Sequence, residues 1–424
     1  MTKLDARDIA ELGNRAEQMI AELGAISSDP DRLVRLFLTP EHRRAADVVA
    51  GWMRDAGMTP SEDALGTVHG HWSGRAGGAG EPEPRRLVIG SHIDTVVDAG
   101  RYDGIFGVVA GVLAVDRVAR AGLARPMAID VLAFGDEEGS RFPSTLSSSA
   151  AAAGCFDRTA LTLSDGRGET LADALVAYGK SPADIAAAAY RGDSVAAYVE
   201  VHIEQGPVLE AAGRPLGIVT GIVGHCRMRA VITGQAGHAG TVPMRLRRDA
   251  LAAAMELGLR LESIAREHTA DAMVATIGSL DVFPGATNVI PGRVVLAIDL
   301  RSMTDSVRHA AREAVVAEAQ RIAVARGVGI AFETLLDVAA TACASQLQDT
   351  WAAALADLGC APIRLPSGAG HDAQMMARLC PVGMLFVRCR DGVSHNPAEY
   401  ASPPDMGLAI AALVRFIERF AVSR

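Results

Sequence analysis

Apolar positions recur in two rhythms along the chain, and the order in which they alternate changes twice. Up to about residue 215, short β-rich runs alternate with longer segments of helical spacing. That alternation is the signature of a sheet with helices on its faces. The N-terminal stretch already shows the helical period, with Ile9, Leu12, Ala16 and Ile20 recurring every three to four residues. Residues 87–90 read as a strand, 104–122 as a helix stopped by glycine, and 127–134 as the next buried strand. From 216 to 333 the order becomes strand (226–233), helix (249–267), two strands (273–280 and 293–300), helix (305–326) and strand (328–333). This βαββαβ order describes a compact α+β sandwich of ferredoxin-like type. Helix and strand resume at 345–358 and 382–387, and a last helix covers about 406–420. The pattern predicts an α/β fold in which 1–215 and 335–424 form one domain, a mixed central sheet with helices on both faces. Residues 216–334 are its inserted smaller domain.

Composition narrows the class. A chain of 424 residues with 49% apolar residues exceeds one hydrophobic core and excludes a mostly disordered protein. The net charge of -9, with no lysine- or arginine-rich run, argues against nucleic acid as a partner. No apolar run approaches the ~20 residues of a membrane span, and the N-terminal stretch lacks the apolar block of a signal peptide, so the expected location is the cytoplasm. The six cysteines (155, 226, 343, 360, 380 and 389) contain no CxxC pair and read as reduced thiols. The glycine-rich stretch 74–86, GRAGGAGEPEPRR, reads as a solvated turn.

The candidate chemistry lies where strands end. In GSHIDTV (90–96), His92 and Asp94 stand two apart on an extended chain and so face the same side. Asp103, in RYDGIFG, directly precedes a predicted helix, where it could serve as an N-cap or as an ionised ligand. FGDEEGSRF sets Asp136, Glu137 and Glu138 side by side after a strand, and a bound cation would relieve their repulsion. Two adjacent glutamates also permit a division of labour, one ligating and the other free as a general base. YVEVHIEQGPVLE brings His202, with Glu200, Glu204 and Gln205 around it, and DGVSHNPAEY brings His395 in a turn. A loop histidine alone reads as a surface residue. Several strand ends bearing such groups converge on one edge of a parallel sheet, and His92, Asp103, Glu138, His202 and His395 suffice for two divalent ions if Asp103 bridges them. Two dications against two carboxylates and a hydroxide leave about +1, which favours an anionic substrate. Neither an HExxH pair nor a GxSxG elbow is present.

The ordered motifs GSHIDTV, RYDGIFGVVAG, GDEEGSRFPSTL, EVHIEQGPVLE, GHAGTVPMRLRRDA, TNVIPG, PSGAGHDA and VSHNPAEY resemble the hydantoinase/carbamoylase amidases. These belong to the wider M20 superfamily of dinuclear metallopeptidases, with the aminoacylases and dipeptidases. The resemblance covers nearly the whole chain from about residue 30. It implies a binuclear amidohydrolase of linear ureides, with allantoate and N-carbamoyl-L-amino acids as the main substrates and ammonia and carbon dioxide among the products. It implies that His92, Asp103 and His202 hold one ion and Asp103, Glu138 and His395 the other, the metal being Zn, Mn, Co or Ni. Asp94 would orient His92, and Glu137 would be the general base.

From the same resemblance, His238 in GQAGHAGTVPM, otherwise a surface histidine, reaches into the partner's site of a homodimer and stabilises the oxyanion. Asn288 and Arg301 hold the substrate carboxylate, although an arginine at a strand end could merely be solvated. Gln205 and the Gly370-His371 turn lie beside the substrate, with a purely structural role for His371 equally open. The inserted domain would act as lid and dimerisation domain, hinged near Leu216 and Glu333. His202 stands where the superfamily's peptidases carry an acid, and so marks the ureide-cleaving branch. Ser148, Ser149 and Ala150 depart from the Gly-Ser-basic continuation of RFPSTL, which bears on substrate choice and not on the metal ligands. The competing functions are an aminoacylase or dipeptidase on the same ligands, an inactive scaffold, and a single-metal or serine amidohydrolase.

Overall fold

A computed structural model describes residues 4–74, 85–122, 127–361 and 363–420; most of the expected turn at 74–86 lies outside them. The chain divides into two compact units, 1–220 with 342–424, and 221–341.

The larger unit opens with α1 (Ala6–Gly24), which Asp5 and Asp8 start with a reciprocal capping box, and α2 (Pro40–Asp55), capped by Thr39. Strands β1 (Thr59–Glu62) and β2 (Val68–Trp72) form a hairpin at the sheet edge. β3 (Arg86–His92), α3 (Ile105–Arg120), β4 (Ala128–Phe134), α4 (Ser147–Ala152), α5 (Leu171–Ala177), β5 (Val195–Ile203), α6 (Val208–Ala211) and β6 (Leu216–Ile222) follow. β4 is buried at every position and β3 and β5 nearly so, because a parallel strand in mid-sheet is covered on both faces.

The smaller unit contains β7 (Gly224–Thr233), β8 (Gly237–His238), α7 (Ala250–Glu267), β9 (Val274–Phe283), β10 (Val289–Ile290), β11 (Arg293–Ser302), α8 (Asp305–Arg326) and β12 (Gly329–Val338). Its four-stranded sheet is antiparallel in the order β12-β7-β11-β9, the arrangement the βαββαβ pattern predicts. Alternate residues of β7 are buried against α7 and α8, so this sheet has one covered face and one exposed face. β13 (Thr341–Ala342), α9 (Ser345–Ala356), β14 (Arg364–Ser367), α10 (Ala373–Met376), β15 (Val382–Val387) and α11 (Pro403–Arg419) complete the chain. The large sheet runs β1-β2-β4-β3-β5-β15-β6-β13, with β14 also paired to β6.

Two expected positions need correction. Leu216 begins β6, which pairs antiparallel with β15 in the large sheet, so the units divide at 220/221 rather than 215/216. Glu333 lies inside β12, paired with Arg229, so no hinge falls there; β12 runs on to Val338 and the division is at 341/342 rather than 334/335. The six cysteines form no disulfide. Among the described residues no helix is long and apolar enough to cross a membrane.

Strand register explains what the sheet edge collects. β3, β4, β5 and β15 are mutually parallel neighbours, so their carboxyl ends share one edge. His92 is opposite Phe134, the last residue of β4, and His202 is opposite Phe386 of β15. Ile89 of β3 pairs with Val199 of β5, and three residues further along each strand stand His92 and His202.

Candidate metal centre

At that edge the rings of His92 and His202 lie 5.9 Å apart, both buried. Each is oriented through Nδ1. His202 Nδ1 donates to the carbonyl of Ile203 at 2.8 Å, and His92 Nδ1 lies 3.2 Å from the Asp94 carbonyl and 3.4 Å from its carboxylate. A proton held on Nδ1 leaves Nε2 as the electron-pair donor. Both Nε2 atoms point at Asp103 Oδ1, at 3.7 Å from His92 and 3.2 Å from His202. His202 Nε2 makes no hydrogen bond despite its burial.

Asp103 is not an N-cap. The cap position of α3 is Gly104, and no side chain caps that helix. The Asp103 carboxylate instead spans the site: Oδ2 lies 3.1 Å from His395 Nε2 and accepts from Gln205 Nε2 at 2.7 Å. His395 Nε2 is also 3.6 Å from Glu138 Oε2. Gly104 permits the close approach, because a Cβ there would fall 2.4 Å from the His92 ring, and its φ is +69°.

The loop after β4 is held by Asp94. Its two carboxylate oxygens accept the backbone N–H groups of Glu137 and Glu138, each at 3.2 Å. Glu137 Oε2 lies 3.8 Å from His92 Nε2, on the site side of the loop.

The electrostatics call for positive charge. Burial alone would raise the pKa of Asp103, yet His202, His395 and His92 around it hold it well below the usual carboxylate range. Burial disfavours protonated His92, but Asp103 and Asp94 push its pKa well above the ordinary value. Hydrogen bonding to Asp103 raises His395 to about 9. Burial, followed by the charge of Asp103, raises Glu138 to about 7, and burial raises Glu137 well above its ordinary value. A dication relieves this crowding, and the donor set fits one. Ligand atoms of His92, Asp103 and His202 lie within 4.8 Å of one another, and so do those of Asp103, Glu138 and His395. Imidazole nitrogens with carboxylate oxygens suit Zn or another late first-row dication.

The profile of peptidase family M20/M25/M40 matches residues 88–419, a span that contains every one of these side chains. The chain belongs to that family. It is 41% identical over 410 residues to the N-carbamoyl-L-amino acid amidohydrolase of Geobacillus stearothermophilus, covering 96% of this chain and 98% of that protein. It is 42% identical over 444 residues to a probable allantoate deiminase of Oryza sativa subsp. japonica, covering 95% and 87% respectively. Among solved structures, an amidase of the hydantoinase/carbamoylase family from Burkholderia multivorans matches with a TM-score of 0.88 at 32% identity, over 96% of this chain and 97% of that one. This M20 protein is a hydrolase acting on carbon–nitrogen bonds.

The remaining candidates of the M20 site fall into two sets. Gln205 joins the centre directly, its Nε2 also 3.3 Å from His395 Nε2. Gly370 is beside Glu137, its Cβ position 3.9 Å from Glu137 Oε1. His371 is buried, bonded through Nε2 to Ser367 Oγ at 2.7 Å and packed edge-on against His202 at 4.5 Å. His238, Asn288 and Arg301 belong to the smaller unit. His238 is exposed and paired with Val289, and the Asn288 carbonyl accepts the N–H of Ala239 at 2.9 Å, so these two share one short ladder. Arg301 is near the far end of β11, eight residues beyond Arg293, or roughly 26 Å along the strand. Asp299 holds its guanidinium, with Nε to Oδ1 at 2.8 Å.

Among the buried acids beside these candidate ligands, Glu200 and Glu399 were given no role from the sequence. Glu200, beneath His202, accepts from Ser91 Oγ at 2.9 Å and Tyr198 at 3.1 Å. Glu399 accepts the backbone N–H groups of Tyr102 and Asp103. Their signal was only position: Glu200 lies two residues before His202 on the same strand face, and Glu399 closes the VSHNPAEY motif.

Proposed function

We propose that this M20 hydrolase is a binuclear metal-dependent amidohydrolase. It cleaves the ureido C–N bond of a linear ureide that carries a carboxylate, allantoate or an N-carbamoyl-L-amino acid. The observation that carries this reading is the pair of ligand triads sharing Asp103, with the carboxylate of Glu137 3.8 Å from His92 Nε2.

In this reading His92, Asp103 and His202 hold one divalent ion, and Asp103, Glu138 and His395 the other. When bound there, the ions would supply Lewis acidity, which polarises a carbonyl and lowers the pKa of water. Glu137 takes a proton from the water and returns it to the leaving nitrogen, a role suited to a buried carboxylate whose proton affinity is raised. Asp94 fixes both the His92 imidazole and the backbone of Glu137, so that base and ligand keep one spacing. Addition of the water oxygen to the ureido carbon and departure of the protonated nitrogen give the free amine, and the carbamoyl group ends as ammonia and carbon dioxide.

Arg301 would hold the substrate carboxylate with its planar fork, and His238 with Asn288 would act on the oxyanion and the carboxylate. The separation along β11 bears on how. His238 and Asn288 share a ladder while Arg301 is about a full strand length away, which supports a site that takes Arg301 from one copy and the His238–Asn288 pair from the partner of a homodimer. The smaller unit would then be the lid and dimerisation domain.

The test is ammonia release by the Mn- or Zn-loaded protein from allantoate and a series of N-carbamoyl-L-amino acids. N-acetyl amino acids and dipeptides, scored by amine release, and a Glu137→Gln variant complete the panel. Turnover of ureides alone, abolished in the variant, is the expected result, and the best ureide identifies the substrate. Cleavage of acyl or peptidyl substrates alone would keep the ligands and overturn His202 as the mark of a ureide-cleaving site.

A further inference from the structure

Glu399 lies between the loops that carry Asp103 and His395, and none of the roles given to Glu137, Asp94 or the ligand side chains involves it. It is 4% exposed and fully engaged. Oε1 accepts the N–H groups of Tyr102 at 2.9 Å and Asp103 at 3.1 Å, the two residues that lead into α3. Oε2 accepts the hydroxyl of Ser394 at 2.6 Å, one residue before His395. The seat is shaped for this side chain, because a Cβ at Gly100 would fall 2.2 Å from Oε1.

Ser394 Oγ is also 3.2 Å from Asp103 Oδ2. A hydroxyl has one proton, and the 2.6 Å contact has the length of a charge-assisted bond to a carboxylate. Glu399 therefore draws that proton, so that Asp103 Oδ2, which accepts from Gln205 Nε2, is not also taken up by Ser394 and keeps a lone pair for the side facing His395 Nε2 at 3.1 Å. The two triads depend on this differently. His92 and His202 are set by strands β3 and β5, whereas His395 stands in a turn at φ +53°, its side chain half exposed.

We propose that Glu399, acting through Ser394, is a positioning residue that joins the bridging carboxylate to the His395 loop and so governs the Asp103/Glu138/His395 ion selectively. This rests on the two-ion reading of the site. Wild type, Glu399→Gln and Ser394→Ala are titrated with Co²⁺ against a competing chelator, with ions per chain counted by mass spectrometry. The cobalt visible spectrum and the melting temperature of the metal-free proteins are recorded in parallel. The amide of Glu399→Gln can donate to Ser394 and turn its proton onto Asp103, and Ser394→Ala removes the connection with the loss of a single oxygen.

The expected result is two ions in wild type. Both variants keep one ion at near wild-type affinity, bind the other about 10- to 100-fold more weakly, and melt as wild type does when metal-free. The inference is overturned if both variants bind two ions as tightly as wild type. It is also overturned if both ions weaken together with a fall in the metal-free melting temperature, which marks a structural role. Fewer than two ions in wild type would overturn the two-ion reading and the inference with it.

Discussion

Asp94 Oδ1 lies 3.4 Å from His92 Nδ1, and the same carboxylate accepts the backbone N–H groups of Glu137 and Glu138. One acid thus couples the end of β3 to the loop after β4. Asp94→Asn keeps the volume but turns one acceptor into a donor, which faces either an N–H of the loop or the Nδ1–H of His92. The expected outcome is a fall in kcat of about 10- to 100-fold with KM little changed, and weaker binding of the ion held by His92. Steady-state kinetics at saturating metal, with metal titration, checks it; a change in KM alone would assign Asp94 to substrate binding.

Gly104 offers a steric test of the same imidazole. A Cβ 2.4 Å from the His92 ring must displace that ring, and the positive φ adds about 1–2 kcal/mol of backbone strain for an L-residue. Gly104→Ala is expected to lose an ion and to melt lower even when metal-free. Retention of two ions at wild-type affinity would show that the loop shifts instead of the histidine.

Removal of metal should destabilise the folded chain. Asp103, Glu137 and Glu138 converge on one edge with His92, His202 and His395, and a metal held by this arrangement would be held only in the native state. Free metal at 100 times its dissociation constant stabilises by about 2.7 kcal/mol for each site. Chelation is therefore expected to lower the melting temperature by several degrees, restored by Zn²⁺ or Mn²⁺. Glu137→Gln should show the full metal-dependent shift while turning over no ureide, because Glu137 is outside both triads.

The parts of this site legible in the sequence are those fixed by local geometry. His92 and Asp94 are two apart on one strand, and the alternation of an extended chain is enough to pair them. Glu137 and Glu138 announce themselves as adjacent carboxylates after a buried strand. Asp103 could not be decided locally, since an acid before a helix is also the usual cap; the imidazoles that claim it come from β3, β5 and the His395 loop. Glu399 was beyond reach for the same reason, its partner Asp103 being 296 residues away in sequence. The unit boundaries were misplaced where strands run past the change of order: β6 begins at Leu216 but pairs with β15 of the large sheet. Motif order supplied expected roles for His238, Asn288 and Arg301 that spacing alone could not, and register adds that Arg301 stands at the opposite end of β11 from Arg293, about a strand length away.

His42 provides a prediction away from the ligands. Its side chain is fully buried in the first turn of α2, with Nδ1 3.1 Å from the Tyr178 hydroxyl, the Phe37 ring edge-on at 5.6 Å and no partner for Nε2. Burial lowers its pKa from the ordinary 6.5 to about 4, the charge of Asp94 offsetting only part of the effect. With the folded value depressed, the contribution is complete above the unfolded value. Below that, the unfolded chain takes up a proton the folded chain refuses, and stability is lost as pH falls from about 6.5 towards 4. Between pH 7 and pH 5 this one group should cost about 2 kcal/mol. The buried carboxylates with raised pKa values work in the opposite sense, so the comparison must be between proteins that share them. His42→Asn retains a short polar side chain and removes the titration. Urea unfolding of both proteins at the two pH values should show the variant losing about 2 kcal/mol less than wild type on acidification. Equal losses in the two proteins would mean that His42 takes up its proton without unfolding, through a rearrangement that lets water reach Nε2.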